Sequence, residues 1–97
     1  MASYIMLLNY TDQGIRTIKQ SPKRADEARK LAKSCGAEMK AVYMTLGAHD
    51  LVAMLEAPND EAMARFALAA AALGNVRSTT LKAFSEAEYR KIIESLP

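Results

Sequence analysis

Ser3 to Tyr10 reads SYIMLLNY, with apolar side chains at both alternating sets of positions, Tyr4, Met6 and Leu8 on one and Ile5 and Leu7 on the other. Successive side chains of a strand point to opposite faces, so the pattern predicts a strand covered from both sides and central in its sheet. Leu51 to Ala57, LVAMLEA, repeats it, with Leu51, Ala53 and Leu55 alternating with Val52 and Met54. Two such strands in a short chain set the problem the fold must solve. A layer of helices covers one face of the sheet, and the second apolar face still needs a cover.

Outward from the first strand, Asp12, Gly14, Ile15, Arg16, Ile18 and Lys19 suggest a short helical turn that cannot pass Pro22, which lacks an amide hydrogen and disfavours helix in the residue before it. Ser21 is then the expected N-cap and Pro22 the first helical residue. Ala25, Ala28, Leu31, Ala32 and Cys35 recur at three- and four-residue intervals as one apolar helical stripe, and Gly36 ends it. Glu38 to Thr45 is β-prone, and Leu46 to Asp50, LGAHD, connects it to Leu51–Ala57 as a hairpin. Pro58 and Asn59 stop that strand. Asp60 is the expected cap of a helix running to about Leu73 and ended by Gly74; its surface is almost wholly apolar around Phe66, Leu68 and Leu73, so it is buried or makes a subunit contact. Asn75 to Phe84 is a fourth strand, and Ser85 with Glu88 forms a capping-box pattern opening a last helix that holds Tyr89, Ile92 and Ile93. The order is α+β, a ferredoxin-like βαββαβ unit with an extra C-terminal helix.

The chain has 97 residues, enough for a single domain spanning 1–97. A domain of this size buries only about 60–70% of the surface its unfolded chain exposes, which favours self-association. A second copy packing sheet against sheet is the economical cover for the second face, giving a homodimer or a multiple of dimers, with the space between the sheets as the expected ligand site. Thirteen Lys+Arg against 11 Asp+Glu give a net charge of +2, too small and too evenly mixed for a nucleic-acid footprint or a polybasic membrane patch. Neither nucleic acid nor membrane is an expected partner. The longest apolar run, Phe66 to Leu73, is eight residues, against the roughly 20 a membrane helix needs. The opening MASYIM lacks the pattern of a signal peptide, and Cys35 stands alone, so a cytoplasmic location without disulfides is expected.

Five segments carry a resemblance: YIMLLNYTDQGIR at Tyr4 to Arg16, SPKRADEAR at Ser21 to Arg29, VYMTLGAHDLV at Val42 to Val52, EAPNDEAMARFAL at Glu56 to Leu68, and ALGNVRSTTLKAF at Ala72 to Phe84. In this order, and over about Ser3 to Ile93, the sequence resembles the GYD family of small bacterial and archaeal proteins. The resemblance implies a dimeric α+β barrel, ferredoxin-like units that pair through their sheets. Relatives of that architecture include cofactor-free monooxygenases, isomerases, haem enzymes and ligand-sensing modules, so it implies fold and assembly more than one activity. The family signature places Gly, one residue, then Tyr-Asp in the hairpin; here the run is Gly47, Ala48, His49, Asp50. His49 stands in place of the tyrosine, and a role needing a phenol there is not implied.

His49 is the only histidine, and its near-neutral pKa suits it to move a proton between a small molecule and water. An exposed turn histidine is the plainer alternative. Asp50 is a ligand-binding candidate whose structural alternative is to accept from nearby backbone amides and fix the loop. Tyr10, Thr11, Asp12 and Arg16 cluster at the end of the first strand, where a phenol, a proton-transferring carboxylate and a guanidinium could line the mouth of a cavity; capping by Thr11 or Asp12 and a surface ion pair are the alternative. Arg77, in an otherwise apolar and small-residue strand, could hold a carboxylate through its planar fork or pair within the protein. No metal site or cofactor is implied: there is one His, one Cys and no paired ligand spacing, and a turn is a poor place for a haem ligand. Cys35 lies at the C-terminal end of a helix, where the dipole disfavours a thiolate. The six Met and the alanine-rich helix read as core filler.

Two functions fit these residues. The first is a homo-oligomeric small-molecule-binding or accessory protein without chemistry of its own. The alternative is a cofactor-independent, monooxygenase- or isomerase-like enzyme acting on a small organic compound in the inter-sheet cavity. In that case His49 or Asp12 moves a proton and Arg16 or Arg77 holds an anionic group.

Overall fold

The computed structural model describes residues 1–97 as β1 (Ala2–Tyr10), α1 (Asp12–Arg16), a short 3-10 turn (Ile18–Gln20), α2 (Ser21–Ser34), β2 (Glu38–Met44), β3 (Leu51–Ala57), α3 (Asp60–Ala72), β4 (Val76–Ala83) and α4 (Glu86–Glu94). The strands form one antiparallel sheet of order β2-β3-β1-β4, so the two doubly apolar strands are the central pair. This is the α+β, ferredoxin-like βαββαβ arrangement with an added C-terminal helix.

Strand register decides which apolar set meets the helices. Tyr4 lies opposite Leu55 and Met6 opposite Ala53. These four, with Ala57, are buried under Ala32 of α2 and Ala62, Met63 and Phe66 of α3. The other set faces away from the helices. Ile5 lies between Met54 and Leu81, Leu7 between Val52 and Thr79, and Tyr43 beyond Val52, so an apolar patch crosses the whole sheet. Met54, Leu81 and Tyr43 are exposed, and no element of the chain covers this face.

Local chemistry explains the boundaries and moves two of them. The helical turn after β1 begins at Asp12, because Thr11 is extended and its hydroxyl accepts from the Gly14 amide as an N-cap. Ser21 does not cap α2. The chain enters that helix straight from the 3-10 turn with Gln20 already in right-handed helical conformation, so Ser21 is inside the helix and its hydroxyl meets Tyr10. Asp60 does not cap α3 either. Asn59 is the extended residue and accepts from the Ala62 amide at 2.8 Å, which leaves Asp60 in the first turn, where a carboxylate still suits the helix dipole. α3 ends where Gly74 takes φ 86°, a left-handed conformation costly for residues with a Cβ. In β2 the pairing with β3 slips between Met39 and Ala41, a bulge at Lys40 on the sheet edge.

Candidate ligand cavity and its mouth

Between the covered face of the sheet and α2 and α3 lies a cavity of about 560 Å³, open at one side. Met6, Leu8 and Ala53 form its floor, Ala28 and Leu31 of α2 and Phe66 and Ala70 of α3 its roof, and Met39 and Val42 its β2 wall. Alanines at positions 25, 28, 53 and 70 line the space. Interiors are otherwise packed to crystal-like density, and side chains this short leave unfilled the volume a Leu or Phe would take. Of the alanine-rich helix read as core filler, Ala62 is packed in the core, whereas Ala70 borders this space.

The mouth is built on the docking of α1 against the turn between α3 and β4. The Thr11 amide donates to the Asn75 carbonyl at 3.1 Å, the Thr11 hydroxyl to the Gly74 carbonyl at 2.6 Å, and Gln13 Nε2 to the Leu73 carbonyl at 3.1 Å. Gly14 closes the contact. A Cβ there would lie 2.0 Å from the Asn75 carbonyl oxygen. Around this base stand the polar side chains of the mouth, and most are held by protein partners. The Tyr10 hydroxyl and Ser21 Oγ are 2.7 Å apart, Arg24 donates to Thr17 Oγ1 at 2.8 Å and to the Gly14 carbonyl at 3.0 Å, and Asn75 Oδ1 accepts from Gln13 at 3.0 Å. No buried side-chain polar atom lacks a partner. What remains for a ligand is an apolar interior and, at its edge, the unpaired Glu27 carboxylate.

The six residues singled out from sequence do not converge. Tyr10 lines the cavity. Asp50 stands behind it, its Oδ2 accepting from the Tyr10 amide at 2.9 Å while its own amide donates to the Leu8 carbonyl at 2.8 Å, so it pins the hairpin to the end of β1. His49 and Arg77 belong to the end of the open face. His49 Nδ1 is 3.0 Å from Asn9 Oδ1, Asn9 Nδ2 donates to the Ala48 carbonyl at 2.8 Å, and Arg77 lies directly across from Asn9 in the β1–β4 register. Asp12 and Arg16 are exposed on α1 and enter no hydrogen bond or ion pair through their side chains.

A second polar group escaped the sequence reading. The buried Tyr4 donates its hydroxyl to Asp60 Oδ1, and Lys82 Nζ stands 3.2 Å from the same oxygen, in a shallow cleft with Met63, Leu68 and Thr80. The hydrogen bond from Tyr4, then Lys82, holds the Asp60 carboxyl below its ordinary range; the bond to Asp60, then burial, raises the Tyr4 phenol. Tyr4 and Asp60 are 56 positions apart, so no spacing flags the pair. The available signal was a tyrosine in a buried strand, whose hydroxyl must find a partner.

The family model for the GYD domain matches residues 4–93. The chain belongs to the GYD family. Among its relatives, the glutamine synthetase and cystathionine beta-lyase binding protein of Thermus thermophilus is 34% identical over 89 residues, covering 91% of this chain and 94% of that protein. The GYD match takes in the whole sheet but for its first residues, all the walls of the cavity, and α4 as far as Ile93. No helix of this GYD domain is long and apolar enough to cross a membrane.

Proposed function

We propose that this GYD domain is a homo-oligomeric accessory protein of the cytoplasm that binds a small apolar molecule in each protomer and has no chemistry of its own. The cavity beneath α2 and α3 carries the reading. It is walled mainly by apolar side chains, and most polar groups of its rim are bonded within the protein, Glu27 being the exception, an arrangement that favours a largely apolar ligand. The paired form follows from the open face of the sheet, where Ile5, Leu7, Val52, Met54 and Leu81 would be covered by the same residues of a second copy. The accessory role draws support from the Thermus relative, whose name records binding to two enzymes. A partner enzyme is the corresponding expectation here.

Native mass spectrometry of protein purified gently from its own host tests the reading, with Ala70→Phe, which fills the cavity, alongside. A dimer or multiple of dimers carrying an apolar compound that Ala70→Phe loses is the expected result. A bare assembly, or a compound retained by Ala70→Phe, overturns the ligand reading, and a monomer overturns the assembly.

One observation favours the enzymatic alternative. His49, its neighbour Asn9 and Arg77 share one end of the open face, so a second copy packed there would enclose an imidazole and a free guanidinium between the sheets. Tyr10, on the helix-covered face and bonded to Ser21, and Asp50, bonded to the Tyr10 amide, have no part in that space, and Asp12 and Arg16 stand outside it. That reading expects turnover of a small organic compound lost in both His49→Ala and Arg77→Ala.

A further inference from the structure

α4 begins with a complete capping box, the Ser85 hydroxyl accepting from the Glu88 amide at 3.2 Å and the Glu88 carboxylate from the Ser85 amide at 2.9 Å. Tyr89, Ile92, Ile93 and Leu96 follow at three- and four-residue steps and make one apolar stripe, while Glu86 and Arg90 pair on another side. Nothing in its own chain covers that stripe. Tyr89 is 56% exposed, Ile92 43%, Ile93 50% and Leu96 61%, and Phe84 just before the helix is 57% exposed. A helix of nine residues is too short to hold its shape in water on propensity and caps alone. Its apolar stripe must therefore be packed on something.

The molecule's shape rules out its own body as that cover. The shortest extent is 17 Å, what one sheet and one layer of helices occupy, and the longest is 51 Å. The radius of gyration, 14.5 Å, exceeds the roughly 12.5 Å of a compact domain of this length. α4 thus lies beyond the two layers as an arm, joined to β4 by Phe84 and Ser85 alone.

We infer that α4 docks on a second copy of this chain, along the margin of the partner's open sheet face, beside the Ile5 and Leu7 centre where the two sheets meet. Each copy then supplies what the other lacks: an uncovered apolar helix and an uncovered apolar sheet, exchanged about a two-fold axis so that the contact closes on itself. An arm with five exposed apolar side chains adds apolar area to whatever the sheets alone would bury. The inference goes beyond the ligand reading and stands with the cavity full or empty; it rests on the pairing of copies proposed above.

Two measurements on the full chain test it. Amide hydrogen exchange followed against concentration should show α4 protected in the dimer and exchanging like an unstructured peptide once dilution gives monomer. Ile92→Glu/Ile93→Glu should raise the dimer dissociation constant at least ten-fold, with the thermal transition of the diluted monomer unmoved. Leu7→Lys, in the middle of the open face, separates the two ideas: it abolishes pairing altogether, whereas the helix variant leaves a weakened pair. α4 amides unprotected at every concentration, protected in a monomer, or a double variant that dimerises as tightly as the parent would each overturn the inference.

Discussion

Asn75 leaves Gly14 no room for a side chain, since the carbonyl that would meet a Cβ at 2.0 Å is backbone and tied to the Thr11 amide, so it cannot swing aside. Gly14→Ala must part α1 from the α3–β4 turn, and urea unfolding should show a loss of about 1–3 kcal/mol, the usual cost of overpacking. Asp60 makes a prediction in pH. Its carboxyl binds a proton more weakly in the folded chain than unfolded, where the value is near 3.8. The stabilisation is therefore present in full above that value and is lost as pH falls through the lower, folded one. Urea midpoints measured from pH 6 to pH 2 should fall on the acid side in the parent and fall less in Asp60→Asn, which also frees Tyr4 and Lys82 from their shared partner. An acid limb of unchanged steepness would count against the Tyr4–Asp60–Lys82 cluster as its source.

Among the elements, α3 depends on one side chain at its start. Asn59→Ala removes the acceptor of the Ala62 amide and should cost about 1 kcal/mol, read as a lower denaturation midpoint, while Asp60→Asn keeps that cap. The pattern of each element was plain in the sequence: the double apolarity of β1 and β3, Gly74 after α3, and Ser85 with Glu88 before α4 are local signals, written within a few residues of what they control. Which of two neighbours caps was not, because Asn59 and Asp60 are chemically able alike and only the extended backbone at Asn59 decides. The site was less legible than the fold. The cavity is a difference between the volumes of five elements, and alanines at 28, 53 and 70 look the same whether they fill space or leave it. The second apolar face pointed to a ligand space between two copies, whereas the cavity within one copy leaves no apolar pattern of its own to read.

For the molecule as a whole, the open face is the strongest constraint on assembly. Leu7 lies between Val52 and Thr79 at its centre, and a lysine there places a charge where a partner's apolar side chains would sit. Light scattering behind size exclusion should find the sheet-to-sheet pair lost in Leu7→Lys at micromolar concentration, the mass falling at least two-fold from the parent's; a pair as tight as the parent's would count against the sheets as the contact. The sheet also has two ends to its row of strands, and they differ. β4 pairs regularly with β1 along its length, whereas β2 is broken by the bulge at Lys40. A bulged, lysine-bearing edge presents no continuous ladder of amides and carbonyls to a neighbour, while a regular one does. Fibre growth requires two compatible edges on every unit, one to receive and one to offer. With only one of them serviceable, backbone pairing between copies can join β4 to β4 once and then has nowhere to continue, so this small and incompletely covered sheet carries its own stop against amyloid-like polymerisation.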